Sequence, residues 1–248
     1  MIASQTATWN QLEYVKLMMY SFYRTARIPQ DFYVVDNNSE DGTREFLTRL
    51  ESTAPKGVVN LRVIKLTENI GHVKATEMFW REYLNNPNVK YLFRFKSTTF
   101  LPLGIQEAGI RTMEAHPEVG VLGFQHDNDF LAESDDGKVP EALDPCVDVG
   151  CIMIRKKIFE DYPQFLDSEI RVGGFMALDF WTGMLREQTK YKFMYYPGNM
   201  HCFDFRNHWC LGYEQDRDLY AKLAPGGASR NKINFDTGWL PQGIKDLL

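Results

Sequence analysis

The sequence contains neither a GxGxxG segment nor a GxxxxGK followed by Ser or Thr, so it lacks the two most direct signatures of dinucleotide and Walker-type triphosphate binding. It has no GxSxG elbow, which removes the usual opening for a serine hydrolase. No apolar run approaches the roughly 20 residues that cross a bilayer, and MIASQTATWNQLEY lacks the charged-then-apolar layout of a signal peptide, so the expectation is a cytoplasmic protein. Cysteine is scarce: Cys146, Cys151, Cys202 and Cys210 form no CxxC pair, and they read as reduced and packed rather than as a disulfide framework. A zinc reading of His201, Cys202, His208 and Cys210 fails because their spacing matches no common site. A net charge of −5 argues against a nucleic-acid-coating role. The last absence is local. From Tyr91 to Pro102, KYLFRFKSTTFLP carries an apolar strand that ends on a lysine, with no carboxylate.

At 248 residues the chain can bury a full core as one large α/β domain. In its first hundred residues short β-rich runs alternate with helical patterns. Ile2 to Thr8, Asp31 to Asp36, Val58 to Leu66 and Tyr91 to Phe95 read as strands, and Gln11 to Arg24 and Val73 to Leu84 as helices. Such alternation predicts right-handed crossovers and a mostly parallel sheet flanked by helices. Beyond Leu101 the pattern predicts a helix at Ile105 to Ala115, strands at VGVLGFQ, VDVGCIMIR and YKFMYYP, and helices at KKIFEDY and Met176 to Gln188. An acidic loop, HDNDFLAESDDGKVPEALD, interrupts this half.

Ligands of such sheets bind beyond the carboxyl ends of the strands. After the first strand stand Thr8, Trp9 and Asn10; after the second, Asp36 to Thr43. Asp36 can present an acceptor to a base or a ribose; equally, Asp36 and Asn38 can cap the next helix and close a turn. After the third strand, Asn69, Gly71, His72 and Lys74 enter a helix whose free N–H groups can receive an anion, or which is simply a helix start.

In order, TWNQ, VVDNNSEDGT, ENIGHVKA, the strand before FLP, DVGCIMIRKKIFEDY, LDFWTGMLREQTKYK and His201 resemble a family 2 glycosyltransferase of the GT-A fold, over roughly residues 2 to 202. The resemblance implies a GT-A-like, Rossmann-like sheet in a single compact domain. A nucleotide-sugar lobe would occupy residues 1–102 and an acceptor and catalytic lobe 103–202. A tail, 203–248, would pack on the core and reach the acceptor. It implies a nucleotide-sugar donor, UDP-linked by family habit, and a hydroxyl acceptor: a glycan, lipid-linked sugar, protein, small molecule or modified nucleic acid. Residues matching Thr8, Asn10, Asp36, Asn38, Asn69, Gly71 and Lys74 would line the donor nucleotide. Asp179 falls at the catalytic base, which deprotonates the acceptor hydroxyl in an inverting displacement, and Leu178 stands where a glutamate is usual. His201 falls near the diphosphate.

The acidic metal motif that the resemblance implies should fall at Lys96, Ser97 and Thr98, and it is missing. The charge developing on a nucleoside diphosphate must still be met. Three readings stand: Arg94 and Lys96 replace the metal with side-chain charge; Asp127 and Asp129, with His126 or His201, hold Mn2+ or Mg2+ elsewhere; or the chain binds a nucleotide or sugar without turnover. A nucleotidyltransferase is disfavoured by the missing glycine-rich phosphate loop.

Overall fold

The computed structural model describes residues 1–53, 57–124, 150–166, 189–196 and 202–204. Its elements are β1 (Ile2–Thr8), α1 (Leu12–Thr25), β2 (Gln30–Asp36), α2 (Thr43–Thr53), β3 (Val59–Lys65), α3 (Gly71–Leu84), β4 (Tyr91–Phe95), β5 (Thr99–Phe100), α4 (Ile105–Ala115), β6 (Val119–Gly123), β7 (Cys151–Arg155), α5 (Lys157–Asp161), a 3-10 turn (Pro163–Leu166), β8 (Lys192–Tyr195) and β9 (Phe203–Asp204). The main sheet is seven-stranded in the order β3-β2-β1-β4-β7-β6-β8. β7 pairs antiparallel with β4 and with β6; every other pairing in the sheet is parallel.

Both faces of the sheet are covered, so its strands read as continuous apolar runs rather than alternating ones. β2 shows how one strand serves two cores. Phe32 and Val34 join the cluster under α1, α2 and α4, while Tyr33 and Val35 join the cluster under α3 and α5. On the first face Phe22 of α1 stacks on Phe32 with ring centroids 3.8 Å apart, and Phe95 of β4 lies against both rings. All three are fully buried, each contributing about 2 kcal/mol by removal from water. On the second face Trp80 packs on Phe159 at 5.0 Å.

Two basic residues at the end of β7 close the helices that lead into the sheet. Arg155 donates from Nε to the Val119 carbonyl at 3.0 Å and from Nη2 to the Met113 carbonyl at 2.6 Å, at the end of α4. Lys156, buried, donates from Nζ to the carbonyls of Leu84 (3.1 Å) and Asn86 (2.8 Å) at the end of α3. Cations placed there satisfy orphan carbonyls and complement the helix dipoles.

The mostly parallel α/β sheet expected from the alternation is present. The structure adds the reversal at β7 and the small β5–β9 pair, in which Thr99 faces Asp204 and Phe100 faces Phe203. α3 starts two residues earlier than its apolar pattern suggests, at Gly71, whose φ of +78° is readily reached only without a Cβ. β6 ends at Gly123, and the acidic loop, the start of VDVGCIMIR and the helix expected at 176–188 lie outside the described residues. Cys151 and Cys202 are free and buried, as a packed, reduced reading requires.

Candidate active site at the carboxyl edge of the sheet

β1 lies at the point where the strand order reverses: β2 and β3 follow on one side of it and β4 on the other. The crevice beyond the carboxyl ends of β1 and β4 is therefore the switch-point position where open α/β sheets bind ligands. β1 is also the least apolar strand of the core. Ser4, Gln5, Thr6 and Thr8 are all buried. Ser4 donates to Gln30 Oε1 at 2.6 Å, and Gln30 exchanges amide hydrogen bonds with Gln106 of α4 at 2.9 and 3.1 Å. Gln5, Thr6 and Thr8, nearer the carboxyl end, have buried side-chain polar atoms without a hydrogen-bond partner. Orphans of that kind are uncommon in a core and are destabilising, so a run of them on one central strand points to a site.

The loops after β1 and β2 are tied to each other. The Asn10 N–H donates to Ser39 Oγ at 3.0 Å, and Asn10 Oδ1 accepts from the Glu40 N–H at 2.7 Å. Asp41 accepts from the N–H of Leu12 (2.9 Å) and of Thr43 (3.1 Å), serving the starts of α1 and α2 with one carboxylate. These bonds hold the Asp41 carboxyl below its usual range against the opposing effect of partial burial. Asn10 and Asn38 both take positive φ, +51° and +67°, a conformation asparagine tolerates better than most residues.

Asp36 is fully buried and already engaged. Its Oδ2 accepts from Arg44 Nε at 2.6 Å, its Oδ1 from the Ser39 N–H at 3.1 Å, and Arg44 Nη2 also donates to the Leu66 carbonyl. Of its two readings, the turn-closing one is visible in these bonds. Neighbouring Asn37, buried, accepts the Ile70 N–H on Oδ1 at 3.0 Å and so joins the second loop to the entry of α3. Asn69 accepts the Gly71 N–H at 2.9 Å, and Gly71 and Lys74, in the first turn of α3, are exposed. Trp9 stands 52% exposed beside Thr8, the most exposed large hydrophobic side chain among the described residues. Sequence reasoning placed it at a strand end without a role; its exposure was the missing signal.

At the end of β4 the chain turns tightly. The Lys96 N–H donates to the Gly150 carbonyl at 2.8 Å and extends the ladder, and the Thr99 N–H donates back to the Lys96 carbonyl at 3.0 Å. Ser97 Oγ donates to Gln11 Oε1 at 2.7 Å, fixing the turn to the start of α1. Arg94 is only 6% exposed and lies in register with Gln5 on β1 and Ile152 on β7. Across from it, His72 in the first turn of α3 is held neutral, its pKa drawn down to about 4 by burial and by the charges of Arg94 and Lys96. His72, Arg94 and Lys96 are thus electrostatic neighbours. The sequence put His72 at the entry of α3 but not beside Arg94 and Lys96, because α3 reaches β4 only through the crossover.

This turn does not fit a divalent cation. It offers no carboxylate, and its one charged side chain is a lysine. Among the described residues no group of three or more His, Cys, Asp or Glu side chains could hold a metal ion. Asp179, His201, His126, Asp127 and Asp129 lie outside the described residues. Cys202, the residue after His201, is buried in the core beneath α1 and α4, and the β9 backbone that follows it runs beside the Lys96–Thr99 turn.

The sheet order and its covering helices make a GT-A-like fold. No family model matches the sequence, and no curated protein matches it. Solved structures share the fold: the mannosyltransferase PcManGT from Pyrobaculum calidifontis, in complex with GDP-Man and Mn2+, superposes with a TM-score of 0.61 at 18% identity, over 82% of this chain and 56% of that one. TarS of S. aureus, residues 1–349, gives 0.58 at 14% identity over 82% of this chain and 59% of that one, and a second TarS structure gives 0.55 over 90% and 40%. The chain thus spans between 40% and 59% of the length of these structures. No described helix is long and apolar enough to cross a membrane.

Proposed function

We propose that the chain is a glycosyltransferase that moves a sugar from a nucleotide-sugar donor, UDP-linked, to a hydroxyl acceptor with inversion. The observation that carries this reading is the switch-point crevice of a GT-A-like sheet, lined by unpartnered Thr8, exposed Trp9 and the cations Arg94 and Lys96. Trp9 offers a flat face for the base, and Thr8, Asn38 and Lys74 are the proposed contacts to the ribose and phosphates. In the reaction the acceptor oxygen attacks the anomeric carbon and its proton passes to Asp179. The bond from that carbon to the diphosphate oxygen breaks, and the nucleoside diphosphate leaves. Arg94, Lys96 and His201 meet the charge that develops on the leaving oxygen; the mannosyltransferase of similar fold is in complex with GDP-Man and Mn2+.

Lobe boundaries at residues 102 and 202, and an acceptor-contacting tail beyond, belong to the same proposal. The test is turnover of nucleotide sugars with and without EDTA. Activity that survives chelation supports side-chain cations in place of a metal; activity lost to EDTA and restored by Mn2+ supports a metal at Asp127 and Asp129. Asp179→Asn is expected to abolish turnover while leaving donor binding intact, and full activity in that variant refutes the assigned base. Donor binding without transfer to any acceptor of a broad panel reassigns the chain as a nucleotide-sugar-binding protein.

A further inference from the structure

The loops that follow β2 and β3 use their side-chain oxygens internally. Both oxygens of buried Asp36 are taken, Oδ2 by Arg44 Nε at 2.6 Å and Oδ1 by the Ser39 N–H at 3.1 Å. Both oxygens of Asp41 hold helix-start N–H groups, those of Leu12 and Thr43. The amide oxygens of Asn37 and Asn69 accept from Ile70 at 3.0 Å and from Gly71 at 2.9 Å. Glu40 and Glu68, the acidic residues that remain in these loops, are exposed.

What is left over at these strand ends is N–H. Because only the oxygen of an amide accepts, the bond from Ile70 fixes the Asn37 Nδ2 as a spare donor. That nitrogen has no partner among the described residues, although Asn37 is only 4% exposed. Arg44 is anchored twice, through Nε to Asp36 and through Nη2 to the Leu66 carbonyl, and its Nη1 has no partner among the described residues. The side chain is 28% exposed, so a ligand can reach it. Its guanidinium therefore bridges the ends of β2 and β3 as a fixed plate with two N–H bonds to spare, and a guanidinium never accepts. Arg44 and Asn37 also hold the two ends of one short loop, at Leu66 and Ile70.

We propose that Arg44, with Asn37 beside it, reads the base of the donor and selects one that carries a carbonyl oxygen at position 4 of a pyrimidine or position 6 of a purine: uracil or guanine, not cytosine or adenine. The inference rests on the reading of this edge as a nucleotide-sugar site. In cytosine and adenine the same position holds an amino group, which sets N–H against N–H. A site built from donors rejects such a base, because its own donors are desolvated without gaining an acceptor. The sequence offered Asp36 as an acceptor facing the base. Its bonds transfer that contact to Arg44, and the contact changes from accepting to donating. Asp36 is then a positioning residue, holding the guanidinium in place from a buried site that the ligand does not reach.

The test is calorimetric titration of the full chain with UDP, CDP, GDP and ADP, in EDTA and again in Mn2+. The readout is the ratio of affinities within each pair, UDP over CDP and GDP over ADP, in which the contributions of ribose and phosphates cancel. The wild-type chain is expected to favour the carbonyl base of at least one pair by about tenfold. Arg44→Lys keeps a cation for Asp36 but lacks the spare N–H pair, and is expected to bring that ratio close to one. Asn37→Asp keeps the oxygen that accepts from Ile70 and turns the spare donor into an acceptor. It is expected to lower the same ratio, and it decides the matter if Arg44→Lys does not fold. Equal affinities within both pairs, a preference for CDP or ADP, or a wild-type ratio kept in either variant overturns the base reading and leaves the nucleotide site standing. A wild-type chain that binds none of the four overturns the donor reading and the base reading with it.

Discussion

Replacing Arg44 by alanine separates what Asp36 does for the fold from what it does for a ligand. The carboxylate is fully buried, and its only described ionic partner is Arg44 Nε at 2.6 Å, with the Ser39 N–H at 3.1 Å as the remaining donor. Removing the guanidinium leaves a buried charge with one hydrogen bond and also deprives the Leu66 carbonyl of a donor. Breaking a buried pair from one side costs 3–5 kcal/mol, and because the Arg44 side chain is 28% exposed the low end applies, about 3 kcal/mol. In a chain of this size that lowers the melting temperature by about 6–12 °C. Urea denaturation followed by circular dichroism measures the loss, and Asp36→Asn in the Arg44→Ala background should restore more than half of it by removing the uncompensated charge. A loss under about 1 kcal/mol, the size of a surface pair, refutes the reasoning and returns Asp36 to solvent and to ligand.

Trp9→Ala should weaken nucleoside and nucleotide binding alike by about tenfold with no change in melting temperature, since the ring is half exposed and its stacking face is what is lost; a selective loss for the diphosphate would contradict base stacking. Lys96→Ala should impair turnover far more than stability, as measured by kcat beside a thermal scan, and equal activity assigns it to the surface. His72 binds a proton more readily unfolded, near pH 6.5, than folded, near 4, so stability falls as the pH drops through that window and the fall should shrink in His72→Gln; pH-dependent urea midpoints measure it. Gly71→Ala should cost about 1 kcal/mol although nothing lies within 4 Å of the added Cβ, because φ is +78°; an unchanged urea midpoint would show that the backbone relaxes.

The alternation of β-rich and helical runs was enough to place β1 to β4, α1 and α3 within two residues, because covered parallel strands and amphipathic helices announce themselves by period. The reversal of β7 was not legible, since CIMIR is equally apolar in either direction. β5 and β9 were missed because a two-residue pair has no period at all. At the site, strand ends named Thr8, Asn10, Asp36, Asn38, Asn69, Gly71, Lys74 and Lys96 as candidates, but sequence could not divide them by task. Asp36 and Asn10 bind their own neighbours, whereas Thr8 and Gln5 bind none.

The sequence alone thus determined the α/β class, the order of the longer elements and the lysine that follows the β4 run, since each is written in period, turn chemistry or composition. Tertiary structure decided who surrounds that lysine. His72 is 24 positions from Lys96 and Gln5 is 89 from Arg94, yet the crossover and the β1–β4 register set them side by side. Hydrogen-bond satisfaction and the local electric field belong to positions in space, so orphaned Gln5 and neutral His72 exist only once the chain has folded.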